Sequence, residues 1–169
     1  GVQTCALPIL VNKQYGEFIA NLLSKYCKIY TKEIVTNKPR CINNRVIQDN
    51  GMYKISSIQN KMFNDIRDLW YPFGIKMVHN TLNLKPITLA IWFQDDGYKH
   101  KHGGYYFCTD GFSYADCNLL QKKLLELNIK SRIHWNGTNP RIYIRKESAN
   151  LFKTTIFPYM CQSMMYKLH

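Results

Sequence analysis

Residues 89–97 (LAIWFQDDG) constrain the fold of this chain more than any other segment. Their apolar part predicts a short buried helix, with Pro86 in its first turn and Gly97 ending it in a left-handed conformation. Asp95 and Asp96 lie at the end of the helix where the helix dipole favours cations. The ordinary alternative is a turn, because aspartate and glycine are common turn residues. We expect instead that the helix holds both carboxylates against something positive, such as a metal ion.

The pattern downstream of this helix predicts two β-hairpins separated by a second helix. The first hairpin spans residues 98–109 and turns at 103–104, a pair of glycines. The second spans residues 129–146 and turns at the Asn-Gly pair 136–137. A final helix over residues 147–157 ends at a proline. The element order is therefore αββαββα, in an α+β fold.

The helix between the hairpins carries its own start signal. Ser113 followed by Asp116 predicts a capping box. The apolar residues of this helix recur at helical spacing and predict a buried stripe. That stripe consists of Ala115, Leu119, Leu120, Leu124 and Leu127.

The first half of the chain resembles the later part of a similar unit. Residues 12–28 predict a helix, residues 29–58 a β-rich region and residues 59–70 another helix. The β-rich region has turn signals at Asn37-Lys38-Pro39, Asn43-Asn44 and Asn50-Gly51. The helix-containing segments 59–72 and 147–159 both end in tyrosine and proline residues and form a weak internal repeat.

We therefore divide the chain at residue 85. Residues 10–85 form a truncated first unit with its connector, and residues 86–169 form a complete second unit. Residues 1–9 (GVQTCALPI) look like a translated sequencing adapter, so we exclude them from the fold prediction.

The formal net charge of +12 over 169 residues favours a nucleic-acid partner, because the basic excess is spread over both halves of the chain. In the second hairpin, period-2 alternation predicts one face towards the helices and one outward face. The inward residues are Ile129, Ile133, Trp135, Ile142 and Ile144. The outward, DNA-binding residues are Lys130, Arg132, His134, Arg141, Tyr143 and Arg145, joined by Lys99 and Lys101 from one strand of the first hairpin. The alternative is an ordinary solvated sheet face, but acidic residues are nearly absent from these positions.

The six cysteines include no C-x-x-C pair, which indicates free thiols in a reducing, intracellular compartment. No apolar run approaches the roughly 20 residues that a membrane-spanning helix needs, so we expect no membrane partner.

The nonapeptide resembles the motif of the LAGLIDADG homing endonucleases in its L-A-x-W-F-x-D-D-G variant. The resemblance implies a monomer of two αββαββα units, with two sheets over double-stranded DNA and Mg²⁺ between the scissile phosphates. It implies that Asp96 is the catalytic, metal-binding acid and that Asp95 supports it at the metal. It also implies catalytic roles for Lys167 and Lys76 near the active site.

Only one motif is present, because no apolar helix ending in Asp-Gly precedes Tyr15. The resemblance implies an intron-encoded, Mg²⁺-dependent, site-specific DNA endonuclease whose truncated form has poor activity or none. The alternatives are a maturase that binds intron RNA and a decaying gene remnant. The richness of the chain in Lys, Asn, Ile and Tyr suggests an AT-rich genome. Together with the family resemblance, this indicates an organelle, the mitochondrion.

Overall fold

The computed structural model describes residues 4–10, 12–34, 40–42, 45–47, 52–58 and 60–169. The elements, in chain order, are β1 (Thr4–Leu10), α1 (Lys13–Ser24), β2 (Ile29–Ile34), β3 (Arg40–Ile42), β4 (Arg45–Ile47), β5 (Met52–Ile58), α2 (Lys61–Trp70), α3 (Pro86–Asp96), β6 (Gly97–Lys99), β7 (Tyr105–Phe107), α4 (Tyr114–Glu126), β8 (Ser131–Asn136), β9 (Asn139–Ile144) and α5 (Ala149–Ile156). They form two compact units. The first comprises Gly1–Asn64 and Cys161–Ser163, and the second comprises Asp65–Met160 and Met164–His169.

The first unit contains an antiparallel sheet with the strand order β1-β5-β2 and a separate β3–β4 pair. Helix α1 begins at Asn12, whose side chain accepts a hydrogen bond from the Tyr15 N–H at 3.0 Å. Its Ala20 packs with Tyr53 and Ile55, which are alternate residues of β5. The predicted helix and β-rich region are confirmed, whereas the three predicted turns lie outside the described residues.

Strand β1 lies in the segment that we set aside as adapter sequence. It pairs antiparallel with β5, with Thr4 opposite Ile58 and Leu10 opposite Tyr53. Excluding residues 1–9 therefore missed a strand. The adapter origin of the segment stays a prediction, because strand pairing depends on backbone geometry and says nothing about where a sequence came from.

Helix α2 confirms the predicted helix, and most of its residues are exposed. None of its residues is buried, and Ile66 and Leu69 are 47% and 44% exposed. A 3₁₀ helix at Pro72–Gly74 follows it, as the 3₁₀ helix at Phe157–Tyr159 follows α5. The proposed repeat of proline-ended helices therefore has a counterpart in local structure.

The second unit has the predicted order αββαββα, and its antiparallel sheet has the strand order β6-β7-β9-β8. Phe93 of α3 is the centre of its core and is fully buried. The Phe93 ring meets Tyr105, Phe107 and Phe152 edge-on, with ring centroids 5.4, 5.8 and 5.1 Å apart. Edge-on aromatic pairs stabilise a core beyond the area they bury. This packing fixes α3 against the sheet.

The capping box of α4 is confirmed. Ser113 Oγ accepts from the Asp116 N–H at 3.1 Å, and Asp116 Oδ2 accepts from the Ser113 N–H at 3.0 Å. The other carboxylate oxygen of Asp116 accepts from the Val78 N–H at 2.7 Å, so this side chain also holds the segment before α3.

The predicted buried stripe of α4 is partly wrong. Leu120 and Leu124 are buried as expected, but Ala115 is exposed and Cys117 is buried instead. The reason is that α4 is rotated about its axis relative to the predicted orientation. Its capping residue Asp116 turns inward to reach Val78 and brings Cys117 into the core beside it.

Two general expectations concern thiols and membranes. In the described part of the chain, Cys27, Cys108 and Cys117 are free thiols, and the reduced state stays a prediction. Within the described ranges, no helix is both long enough and apolar enough to span a bilayer.

The predicted conformation of Gly97 is wrong. Its backbone is extended, with φ −95° and ψ 155°, so the helix does not end in a left-handed residue. A Cβ atom at this position would lie 2.6 Å from the Phe93 carbonyl oxygen and would clash with the Phe93 ring. The chain therefore requires glycine here for space against Phe93.

We predict that Gly97→Ala lowers the free energy of unfolding by about 1–3 kcal/mol, because overpacking forces backbone and ring apart. Gly111→Ala is the matched control, since nothing lies within 4 Å of its added Cβ. Urea unfolding of both variants measures the difference, and equal stabilities would show that the Phe93 contact does not exclude a Cβ.

Candidate acidic site and nucleic-acid interface

The two carboxylates of the motif lie at the exposed end of an otherwise buried helix. Asp95 and Asp96 are exposed, whereas Phe93 and Gln94 just before them are buried. The Asp96 carbonyl accepts a hydrogen bond from the Cys108 N–H at 2.9 Å, which ties this end of α3 to the strand that has just ended at Phe107. The core thus sets the position at which both carboxylates reach solvent.

A lysine from the far end of the chain lies at the same place. Lys167, in the 3₁₀ helix Gln162–Leu168, donates from Nζ to the Gln94 carbonyl at 2.6 Å and to the Asp95 carbonyl at 3.2 Å. The last carbonyls of a helix need such donors, and the helix dipole favours a cation there. The expected positive partner of this helix end is therefore supplied, at least in part, by the chain itself.

The surroundings of Lys167 act on its pKa in opposite directions. Burial of the ammonium lowers the pKa, while the charges of Asp95, Asp96 and Cys108 raise it. Burial is the larger effect, and the pKa lies below its usual value of 10.5. A lysine with a lowered pKa gives up its proton more readily. Lys167 therefore combines proximity to both carboxylates with altered proton affinity.

Lys76, the other predicted catalytic lysine, has a different environment. Its Nζ lies 4.1 Å from the centroid of the Phe112 ring, in the loop before α4. A cation over an aromatic face is held there by the ring quadrupole. The catalytic role of Lys76 stays a prediction.

The inward face of the second hairpin is mostly as predicted. Ile129, Ile142 and Ile144 are fully buried. Trp135, which we expected inside, is 60% exposed. It lies next to the hairpin turn and stacks on Tyr114 at the start of α4, with the ring centroids 5.7 Å apart. Alternation alone did not show that the end of the strand extends past the core.

Acidic side chains pair with several cations of the outward face, which corrects the expectation that acids are nearly absent there. Asp110 accepts from Arg141 Nε at 3.0 Å and from Nη2 at 2.9 Å, and this bidentate pair holds the pKa of Asp110 below its usual range. Glu147 lies 3.5 Å from Lys130 Nζ and 3.1 Å from Arg145 Nη2. These acids come from adjoining turns, which strand alternation does not cover.

The remaining predicted DNA-binding residues do not all lie on the outward face of the sheet. Arg132 is exposed and lies opposite Tyr143 in the strand register. Lys99 is exposed too, but it lies opposite the buried Tyr105, on the other side of the sheet from Arg132 and Tyr143. Lys101 lies in the exposed turn, not on a strand as predicted, because β6 ends at Lys99.

Sequence reasoning missed two aromatic residues on the outward face. Tyr98 lies opposite Tyr106, and Tyr106 lies opposite Tyr143. His134 joins them, with Nδ1 2.7 Å from the Tyr106 hydroxyl. The same period-2 alternation, applied to β6 and β7, would have found both tyrosines.

The sequence matches the family model described as the LAGLIDADG DNA endonuclease family over residues 9–152. This chain belongs to the LAGLIDADG DNA endonuclease family.

Three curated relatives are similar over most of this chain. The cytochrome b mRNA maturase bI2 of Debaryomyces hansenii is 30% identical, with 93% of this chain and 60% of the relative covered. The protein of the same name in Saccharomyces cerevisiae is 32% identical, with 85% and 40% covered. A probable intron-encoded endonuclease 1 of Wickerhamomyces canadensis is 27% identical, with 93% and 70% covered. The chain thus spans about half the length of the two maturases.

A solved structure has the same fold. The homing endonuclease I-WcaI, bound to its DNA recognition sequence, superposes with a TM-score of 0.79 at 23% identity. The match covers 98% of this chain and 75% of that one. It confirms the predicted LAGLIDADG fold.

We predict that Asp96→Asn lowers the pKa of Lys167 further, because it removes a negative charge that raises this pKa while burial continues to lower it. The pKa is read from an NMR titration of the lysine side-chain signals. Asp110→Asn is the matched control, since Asp110 pairs with Arg141. An unchanged or raised Lys167 pKa in Asp96→Asn would contradict the proximity of the two charges.

Proposed function

We propose that this chain belongs to an intron-encoded, site-specific endonuclease that hydrolyses phosphodiester bonds of double-stranded DNA. The observation that carries the proposal is the exposed pair Asp95 and Asp96 at the end of a buried helix, with the Lys167 ammonium bound to the same helix end. Family membership supports it.

Mg²⁺ is the cofactor that we propose for this site, with Asp96 as its main ligand and Asp95 in support. Carboxylate oxygens suit a hard cation, and Mg²⁺ commonly binds one or two carboxylates together with substrate phosphates and water. Within the described part of the chain, no group of three or more His, Cys, Asp or Glu residues could enclose a metal. Two carboxylates are enough for such a site when substrate phosphate and water supply the other ligands. When bound there, the ion would lower the pKa of a water molecule and offset phosphate charge.

The residues of the chain have separable roles in this proposal. Asp96 places negative charge where substrate phosphate and cation meet. Lys167, with its lowered pKa, is the group that we propose to polarise water or to neutralise phosphate. Arg132, with Lys101 in the exposed turn of the first hairpin, contributes charge attraction to the DNA backbone.

An RNA-binding maturase is the second candidate function. It is favoured by the names of the Debaryomyces and Saccharomyces relatives, both cytochrome b mRNA maturases. Its partner would be intron RNA, and splicing would then depend on the protein without DNA cleavage. The names of these relatives also support our proposal of an organellar, mitochondrial location.

We predict that the affinity for duplex DNA falls about 10- to 100-fold between about 50 and about 200 mM salt, the loss expected for two to four contacted phosphates. Arg132→Gln should weaken binding and reduce this salt dependence, because one contacted phosphate is lost. Fluorescence anisotropy with labelled duplex measures both effects. Arg67→Gln, on α2, is the matched control, and salt-independent binding would contradict the proposed interface.

We predict that Asp96→Asn reduces Mg²⁺-dependent DNA cleavage at least about 100-fold, because metal-held charge contributes several kcal/mol to such reactions. Its Kd for DNA should change less than about twofold, since phosphate contacts come from other residues. The substrate is a plasmid carrying the uninterrupted exon junction at which the intron inserts. Asp68→Asn, an exposed aspartate of α2, is the control. Cleavage by Asp96→Asn at the normal rate would refute the assigned site, whereas splicing activity without any nicking would support the maturase.

A further inference from the structure

The outward face of the second unit's sheet carries a row of aromatic rings across its strands. Tyr98, Tyr106 and Tyr143 are successive cross-strand neighbours, and Arg132 on β8 ends the row. The ring centroids of Tyr98 and Tyr106 are 5.4 Å apart at 15°, and those of Tyr106 and Tyr143 are 4.8 Å apart. Such a row is a rigid platform, because each ring restrains the next.

A pocket of about 190 Å³ opens at one end of this row. It is lined by Tyr98, Tyr106, His134, Trp135, Asn136 and Arg141, among others. Tyr98 is 37% exposed and Trp135 is 60% exposed, although each already stacks on a neighbouring ring. The Tyr98 ring in the lining thus keeps accessible surface, whereas the Trp135 ring lies against Tyr114 and, by the strand register, on the other side of the sheet.

Polar groups of fixed orientation lie in the same lining. Asp110 holds the Arg141 guanidinium through two hydrogen bonds, which leaves less rotational freedom to lose on binding. Asn136 adds an exposed amide that can both donate and accept. The pocket therefore offers hydrogen-bonding groups beside aromatic surface.

A pocket that combines aromatic surface with hydrogen-bonding groups suits the face of an unpaired base better than the edge of a base pair. An intact duplex presents only base edges in its grooves, since its ring faces are stacked on one another. Unpaired bases expose their faces and stack on aromatic side chains, and four-stranded sheets with aromatic residues bind single-stranded RNA in this way.

We infer that the pocket bounded by Tyr98, Asn136 and Arg141 binds an unpaired nucleobase of a single-stranded nucleic acid. The base stacks on the aromatic surface, and Asn136 and Arg141 hydrogen-bond to its edge. This inference rests on the proposed nucleic-acid-binding function and adds a substrate class to it.

The test compares labelled RNA, single-stranded DNA and duplex DNA of one mixed sequence, by fluorescence anisotropy at one salt concentration. We expect Tyr98→Leu to weaken single-strand binding about tenfold and duplex binding less than about twofold, because only unpaired bases stack. Tyr26→Leu, an exposed tyrosine of the first unit, is the matched control. Tighter binding of RNA assigns the pocket to RNA, and tighter binding of single-stranded DNA assigns it to DNA.

A second measurement does not depend on the folding of a variant. Aminopurine placed in the single strand should lose fluorescence on binding to the unmodified protein, as it does when stacked. Absence of quenching would overturn the assignment of the pocket to an unpaired base. Equal losses of affinity for single strand and duplex in Tyr98→Leu would overturn it as well. Duplex binding with no single-strand binding overturns this inference alone, whereas no binding to any nucleic acid overturns the proposed function as well.

Discussion

The packing of Phe93 against the sheet is the interaction on which the second unit depends. Phe93 contacts rings from β7 and α5, and the close passage of Gly97 lets the chain turn from α3 directly into β6. A helix fixed in this way has a fixed end. Because Asp95 and Asp96 follow Phe93 within one turn, the aromatic core determines where the carboxylates reach solvent.

The electrostatics of that helix end are balanced by a residue more than seventy positions away. Without Lys167, the last carbonyls of α3 and two carboxylates would concentrate negative charge at the negative end of a helix dipole. The ammonium offsets part of this charge and is itself partly desolvated, which explains its lowered pKa. The contact serves helix stability, and in the proposed function the same ammonium also acts on substrate phosphate, since both need a cation at this point.

The outward sheet face, which is the proposed nucleic-acid interface, combines two kinds of side chain. Arg141, Lys130 and Arg145 are paired with acids from neighbouring turns, so their orientation is restrained and their net charge is reduced. The tyrosine row adds contact area without charge. A face of this composition depends less on phosphate attraction alone than a purely basic face would.

The sequence by itself determined the element order of the second unit, the capping box of α4 and the acidic helix end, because these follow from local rules of periodicity, capping and turn chemistry. It also led to the family, through nine contiguous residues. Tertiary structure alone decided the pairing of β1 with β5, the exposure of Trp135 and the contact of Phe93 with Gly97. It also decided the ion pairs of Arg141 and Lys130 and the hydrogen bonds of Lys167. These features join residues that are distant in sequence, or they depend on where the core ends. The periodicity of one segment does not show which residues of another segment pack against it.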